Sequence, residues 1–217
     1  MTVRTVDNSD RLRGLSLTPV SRETEERLAI LVAELERWQR AKNLVSTATL
    51  DEVWTRHIAD SLQLFDHAPE ARRWLDLGSG GGFPGLVLGI RLAEVGGHID
   101  LVESNARKCA FLRHAARLTG AAVTVHAARI EDAMPQFLGK VDVVTARALA
   151  SLPLLLDWCK ELLRTGVIGV FPKGQHLDAE LTEASKYWKI QASTFPSVTD
   201  SAARILVIRN AQKRTDP

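Results

Sequence analysis

Strands alternating with helices from about residue 72 onward predict an α/β fold: a mostly parallel, seven-stranded, doubly wound sheet preceded by a helical cap. Three observations carry this expectation. Short apolar runs at Trp74–Leu77, Ile99–Val102, Ala122–His126, Val141–Thr145 and Val167–Phe171 are spaced by segments of helical periodicity or short polar linkers. The first run enters a loop with glycines at Gly78, Gly80, Gly82 and Gly85, and then an apolar helix. Two last apolar segments, 190–195 and Ile205–Ile208, have no helix between them, which predicts an antiparallel return at one edge. Parallel neighbours need right-handed crossovers, so helices should cover both faces of the sheet.

The bulk properties agree with this class. A chain of 217 residues, 45% hydrophobic and 25% charged, fits one domain plus an extension and can bury a full core. A net charge of +2 excludes an overwhelming basic field, so any nucleic-acid surface must come from the distribution of charge. Cys109 and Cys159 have neither metal-ligand nor disulfide-framework spacing, and no histidine pair has zinc spacing, so no structural metal is expected. The polar N-terminus lacks an apolar signal core, and no apolar run approaches the roughly 18 residues that cross a bilayer. The expectation is a cytoplasmic protein with no membrane partner.

Taken in order, residues 1–20 are polar and poorly patterned and are predicted to be a flexible tail. Pro19 and Ser21 mark a helix start, with Glu23, Glu25 and Glu26 in its first turns. Leu28, Leu31, Val32, Leu35 and Trp38 form its apolar stripe, which runs to about Asn43. A second helix is predicted from near Thr49, with Val53, Trp54, Ile58, Leu62 and Phe65 on its buried face. No glycine-rich linker follows, so residues 21–68 read as a cap packed on a main domain spanning 69–217. Within that domain helices are predicted at 84–94, Asn105–Leu118, from a Ser151 cap to Leu163, and at 177–187.

Ligands of open α/β sheets sit beyond the carboxyl ends of the strands, where every unusual loop of this chain falls. Gly80-x-Gly82-x-x-Gly85 matches the dinucleotide fingerprint, and Glu103 follows at the distance where an acid holds a ribose. Glycine turns also arise merely to join a strand to a helix, so the loop alone defines only a nucleotide-shaped ligand. Asp76 ahead of it gives Asp-x-Gly-x-Gly-x-Gly, which resembles motif I of the class I S-adenosylmethionine-dependent methyltransferases. That resemblance implies ribose binding by Glu103 and adenine-side contacts from Ile130 and Glu131. An acid that caps the loop, a solvated helix cap and an ordinary polar turn are the plain alternatives for Asp76, Glu103 and Glu131.

Further stretches narrow the family. Asn43-Leu-Val-Ser46, Arg56-His-Ile-Ala-Asp-Ser61, the Phe-Pro-Gly ending of Asp76–Gly85, Thr145-Ala-Arg-Ala-Leu-Ala150 and Lys173-Gly-Gln175 resemble the RsmG family. This family, also called glucose-inhibited division protein B, comprises bacterial small-subunit ribosomal RNA guanine-N7 methyltransferases. The likeness runs from about Leu28 to Ile208 and leaves residues 1–20 outside. Phe83 and Glu103 depart from the leucine and aspartate frequent in the family, changes that suit a contact surface and a ribose acceptor. The resemblance implies methyl transfer from S-adenosylmethionine to one guanine N7 of 16S rRNA near the decoding site. Naked RNA and the small ribosomal subunit or its precursor both stay open as the substrate. By correspondence, Gly78, Phe83, Ile130, Glu131 and Arg147 are expected at the cofactor or active site.

The chemistry fits this residue set. Guanine N7 presents a lone pair and no proton, so attack on a sulfonium methyl needs positioning more than a general base. Accordingly, no Ser-His-Asp arrangement or other nucleophile stands out, and neither Asn-Pro-Pro-Tyr nor a Pro-Cys pair occurs. Arg147 is expected to orient cofactor or acceptor, and Asp60 is a candidate to stabilise the cationic product. Arg56 and Asp60 stand at i and i+4, and His57 and Asp60 at i and i+3, so the three share one helical neighbourhood, for which a surface ion pair and a packing histidine are the plain alternatives. Lys173 is expected after the fifth strand, facing RNA phosphate or the site. Arg72, Arg73, Arg107, Lys108, Arg113 and Arg117 could face phosphates, although scattered helix charges are usually solvated. Methylation of another RNA or small molecule, an NAD-dependent oxidoreductase and a non-catalytic ribosome-binding protein remain as alternative functions.

Overall fold

The computed structural model describes residues 8–42, 44–46 and 49–214. Asn43, which closes the first predicted helix and opens one family stretch, lies outside the described residues. The sheet has seven strands: β1 (Arg73–Leu77), β2 (His98–Glu103), β3 (Val123–Ala127), β4 (Val143–Ala146), β5 (Ile168–Lys173), β6 (Trp188–Pro196) and β7 (Arg204–Lys213). Their spatial order is β3-β2-β1-β4-β5-β7-β6. The first five pair in parallel, while β7 runs antiparallel to both β5 and β6. The antiparallel strand therefore stands one place in from the edge, because β7 inserts between β5 and β6. Order reverses between β1 and β4, so the switch point lies above the loops that follow these two strands.

Strand alternation divides the core. Trp74, Leu101, Val143 and Val170 face one side, where α2 (Arg22–Lys42), α4 (Gly85–Ala93) and α5 (Ala106–Thr119) bury Leu28, Leu31, Leu88 and Phe111. Leu75, Leu77, Val144 and Phe171 face the other, against α7 (Leu152–Arg164) and α8 (Leu177–Ser185). Each fully buried Leu, Val or Phe contributes roughly 1.5–3 kcal/mol of transfer free energy, so both layers hold the strand ends rigidly. Ser21 caps α2 by accepting from Thr24 N at 3.1 Å. Ser151 makes no such bond to α7; the orphan N–H of Leu152 is instead met by Glu180 Oε2 at 3.1 Å. Asn105 caps α5, accepting from Arg107 N and Lys108 N. Among the described residues no helix is long and apolar enough to cross a membrane.

Two N-terminal features depart from the sequence reading. Residues 8–17, expected to belong to a flexible tail, form α1 (Asn8–Leu17). The second helix starts later than Thr49 and is composite: a π-helical stretch Trp54–Ala59, one α-turn α3 (Asp60–Leu62) and a 3₁₀ stretch Gln63–His67. Both differences have one cause. Asp10 accepts hydrogen bonds from Trp54 N at 2.8 Å, Thr55 N at 3.2 Å and Thr55 Oγ1 at 2.6 Å, so α1 docks through a polar cap and shows no apolar stripe.

Candidate functional site

The glycine loop is built on β1. Asp76 is fully buried at its carboxyl end, in register with Leu101 of β2 and Thr145 of β4. Neither Asp76 oxygen has a partner with good hydrogen-bond geometry, although Ser79 and the Gly85 N–H lie near enough to favour its charged form, and Thr145 Oγ1 beside it is also unpartnered. Burial pushes the Asp76 carboxyl up to about 7. Such orphaned groups are unusual in a folded interior and mark acceptor capacity that a ligand or solvent can use. Gly85 permits the packing, because a Cβ there would come within 2.4 Å of Leu101 and 2.5 Å of Asp76 Oδ2. Gly78, at φ +64°, turns the chain where a Cβ would strike Leu149 at 2.4 Å.

Glu103 ends β2 and holds the loop from the far side. Its Oε2 accepts from Gly80 N at 2.9 Å and its Oε1 from Asn105 N at 2.8 Å. Beyond it, α6 (Ile130–Ala133) brings Ile130 and Glu131 to the same trough, a cavity of about 370 Å³ that also includes Gly78, Lys108, Leu149 and Trp158. Trp158 Nε1 donates to Glu131 Oε1 at 3.1 Å and fixes that carboxylate at the rim.

A second cavity, of about 600 Å³, adjoins the first and shares Gly78, Lys108, Ala148 and Leu149 with it. Its floor is organised by Arg147, in the loop after β4. Arg147 Nη2 donates to His57 Nδ1 at 2.8 Å, and Nη1 donates to Asp60 Oδ2 at 3.3 Å and to the carbonyl of Arg56 at 3.2 Å. The guanidinium also lies over the Phe83 ring, 5.4 Å from its centroid, while His57 stacks on the same ring at 4.8 Å. The hydrogen-bond chain defines the histidine tautomer. Thr49 Oγ1 spends its proton on the carbonyl of Ser46 at 2.9 Å and so accepts from His57 Nε2 at 2.8 Å. Nδ1 is then the bare nitrogen that receives Arg147. Burial, with Arg147 and Arg56 nearby, pulls the imidazole down to about 3, so His57 is neutral.

The structure thus gathers Arg56, His57, Asp60 and Arg147, but not as i, i+4 partners. Arg56 pairs with Asp200 at 3.2 Å, and Asp60 serves Arg147 instead. Partners from distant segments, Asp200 and Arg147, take the places of the neighbours along the helix. Asp60 Oδ1 also accepts from Thr199 Oγ1 at 2.9 Å and Gln63 Nε2 at 3.0 Å. Lys173 is the last residue of β5 and lines the larger cavity, 10% exposed and paired with Glu180 at 2.7 Å. Ala148, the one non-glycine residue at positive φ among those described, sits at φ 50° where the two cavities join. Thr49, Thr199 and Asp200, which also line the larger cavity, entered no motif. Only the crossing of chain segments from opposite ends of the sequence puts the 197–200 turn here.

This sheet order, with an acid beneath the glycine loop and another at the end of β2, is that of the class I S-adenosylmethionine-dependent methyltransferases. Solved structures agree: an O-methyltransferase from Bacillus cereus in complex with SAH superposes with a TM-score of 0.58 at 18% identity, covering 96% of this chain and 100% of that one. Residues 24–207 match the family GidB, rRNA small subunit methyltransferase G. The ribosomal RNA small subunit methyltransferase G of Methylobacterium radiotolerans is 57% identical over 201 residues, 93% of this chain and 95% of its own length. That of Methylorubrum populi is 56% identical over 208 residues, 95% and 98% of the two chains. The chain belongs to this family and is an S-adenosylmethionine-dependent methyltransferase.

Proposed function

We propose that the chain methylates N7 of one guanine in 16S rRNA near the decoding site, as a cytoplasmic enzyme acting on the small ribosomal subunit or its precursor. The observation that carries this reading is the pair of joined cavities. The trough between Glu103 and α6 has the acceptors and glycine backbone that suit a nucleoside, and the larger one has a fixed cation beside an aromatic wall. Asp76, Gly78, Gly80, Gly82, Phe83, Glu103, Ile130 and Glu131 would hold S-adenosylmethionine, with Arg147 at the junction. When bound, that cofactor supplies an electrophilic methyl group on a sulfonium.

The residues of the chain then have to orient an acceptor nitrogen, and none of them has to remove a proton. His57 fits that demand: it is neutral, and its one bare nitrogen is occupied by Arg147. Its stacking on Phe83 fixes the wall, while Arg147, anchored by Asp60, keeps a guanidinium at the floor of the acceptor cavity. Orientation of this kind supplies up to roughly 7–11 kcal/mol of barrier reduction in well-aligned systems. Arg56, Asp60 and Lys173 act as positioning groups in this reading, with residues 21–68 a cap over the methyltransferase unit 69–217. The family match removes the oxidoreductase alternative. The test is transfer of labelled methyl from S-adenosylmethionine to unmodified small subunits or naked 16S rRNA, followed by mapping of the base. Label at guanine N7 is expected. Label on another atom or another RNA, or none, overturns the substrate assignment.

A further inference from the structure

We propose that Asp10 is a positioning residue for methyl transfer: its carboxylate caps the π-helix that carries Arg56, His57 and Asp60, and through them it sets the place of Arg147. The inference rests on the acceptor-site reading above. Asp10 lies ahead of residues 24–207, which match the family, and far in sequence from every motif.

Helix N-termini leave backbone N–H groups without partners inside the helix. Here Trp54 N and Thr55 N are such donors, and both are buried; the next one, Arg56 N, reaches the carbonyl of Glu52 at 2.7 Å. Asp10 takes both donors and the Thr55 hydroxyl with its two oxygens. A charged acceptor at a helix N-terminus is shorter and stronger than a neutral one, and it also complements the helix dipole. The docking leaves no slack. A Cβ on Gly14 would stand 2.7 Å from the carbonyl oxygen of Trp54. Arg11 lies over the Trp54 ring at 5.0 Å and pairs with Glu25 at 2.7 Å, tying α1 to α2 as well.

The capped backbone is the one that presents the acceptor site. Arg147 donates one bond to the carbonyl of Arg56 and one to the ring of His57, residues immediately after the capped pair. A π-helix is rare beside the α form, so a π stretch depends on the contacts that surround it, and Asp10 makes those at its N-terminal end. Without the cap, the stretch can relax toward α-helical spacing, which rotates His57 and the Arg56 carbonyl away from the guanidinium. The cofactor trough shares none of these contacts. Phe83 is the one cofactor-side residue that touches this set; Gly80 is held by Glu103 of β2 and Glu131 by Trp158 of α7, so cofactor binding should largely survive the loss of the cap.

The experiment compares full-length wild type, Asp10→Ala, Asp10→Asn and Val141→Ala, the last a core truncation at the entry of β4, opposite the site. Each is measured for thermal midpoint, S-adenosylmethionine affinity and turnover on unmodified small subunits, at a temperature where all are folded. Asp10→Ala is expected to lose on the order of tenfold in kcat while its cofactor affinity holds within about twofold. Asp10→Asn, which keeps one acceptor oxygen but turns an NH2 toward the other donor, should fall between wild type and Asp10→Ala with a loss of about threefold in kcat, and Val141→Ala should lose stability without losing kcat. Unchanged kcat in Asp10→Ala, or cofactor affinity falling in step with kcat, overturns the proposal. If Asp10→Ala does not fold, a kcat loss in Asp10→Asn with cofactor affinity retained supports it, and unchanged kcat there overturns it. The ring-nitrogen resonances of His57 give a readout that needs no acceptor. They report the Arg147 bond, and should move in the Asp10 variants but not in Val141→Ala. If they do not move, the proposal fails, even where the wild type methylates no rRNA.

Discussion

The cofactor trough and the acceptor cavity share a wall at Gly78, Ala148 and Leu149, yet they are built in opposite ways. The trough is built mainly from loops that leave adjacent strands: Gly78 after β1, Glu103 at the end of β2 and residues 128–131 after β3, closed by Leu149 and Trp158, with Asp76 buried in β1. The acceptor side is assembled from the π-helix, the loop after β4 and the turn at 197–200, with Asp60 and Thr199 meeting across 139 residues of sequence. A site of adjacent loops depends mainly on backbone conformation, whereas an assembled one depends on side-chain bonds between distant elements. Mutations should separate the two accordingly.

The largest effect is expected from Arg147→Ala. Turnover should fall on the order of a hundredfold, while cofactor affinity stays within a few-fold and the thermal midpoint drops by only a few degrees. Labelled methyl transfer, calorimetric binding and thermal melting read the three quantities, and a matching loss of cofactor binding would erase the distinction between the regions. Gly85→Ala should do the reverse. The new Cβ collides with Leu101 and Asp76, costing about 1–3 kcal/mol of stability and at least roughly tenfold in cofactor affinity, while kcat at saturating cofactor changes little.

The third prediction concerns pH. Asp76 holds its proton up to about 7 in the native state, against 3.8 ordinarily, so the native state binds more protons across that window and stability falls as pH rises through it. The loss is on the order of 4 kcal/mol for a fully buried group. His57 has the opposite sign, because its native value near 3 lies below its ordinary 6.5 and stability is lost as pH drops through that range. In wild type the two slopes oppose each other. Asp76→Asn should leave the histidine slope alone, so that urea stability of the cofactor-free protein rises from about pH 4 to 6.5. A flat or falling profile in that variant would show that Asp76 is not the group responsible. The smallest effect is expected from Glu131→Gln: a neutral amide still accepts from Trp158, so cofactor affinity should change by no more than about threefold.

The same contrast explains what was legible in the sequence. The strand, the glycines and the following apolar helix are adjacent, and each needs its residue type for a local reason, so the cofactor half of the fold is readable in order. Arg147, His57 and Asp60 are identifiable as a set by resemblance, but their pairing is not. The i, i+4 rule sees only neighbours along one helix, whereas Arg56 turns to Asp200 and Asp60 to Arg147, both from segments far away in the chain. Helix α1 escaped notice because it docks by a carboxylate and a glycine contact, neither of which leaves an apolar period. The β7 insertion is also beyond periodicity, since two consecutive strands predict a hairpin at an edge without saying which of them faces the sheet.

That insertion has a consequence in time as well as space. Ribosomes deliver chains from the N-terminus, and β7 is the last strand to emerge; until it slots between β5 and β6, the turn at 197–200 has nothing to hold it against Gln63 and Asp60. The nucleoside half can condense on β1 to β4 and α7 while synthesis continues, but the acceptor half must wait for β7. A nascent chain of this protein is therefore expected to be able to hold a methyl donor before it is able to spend it.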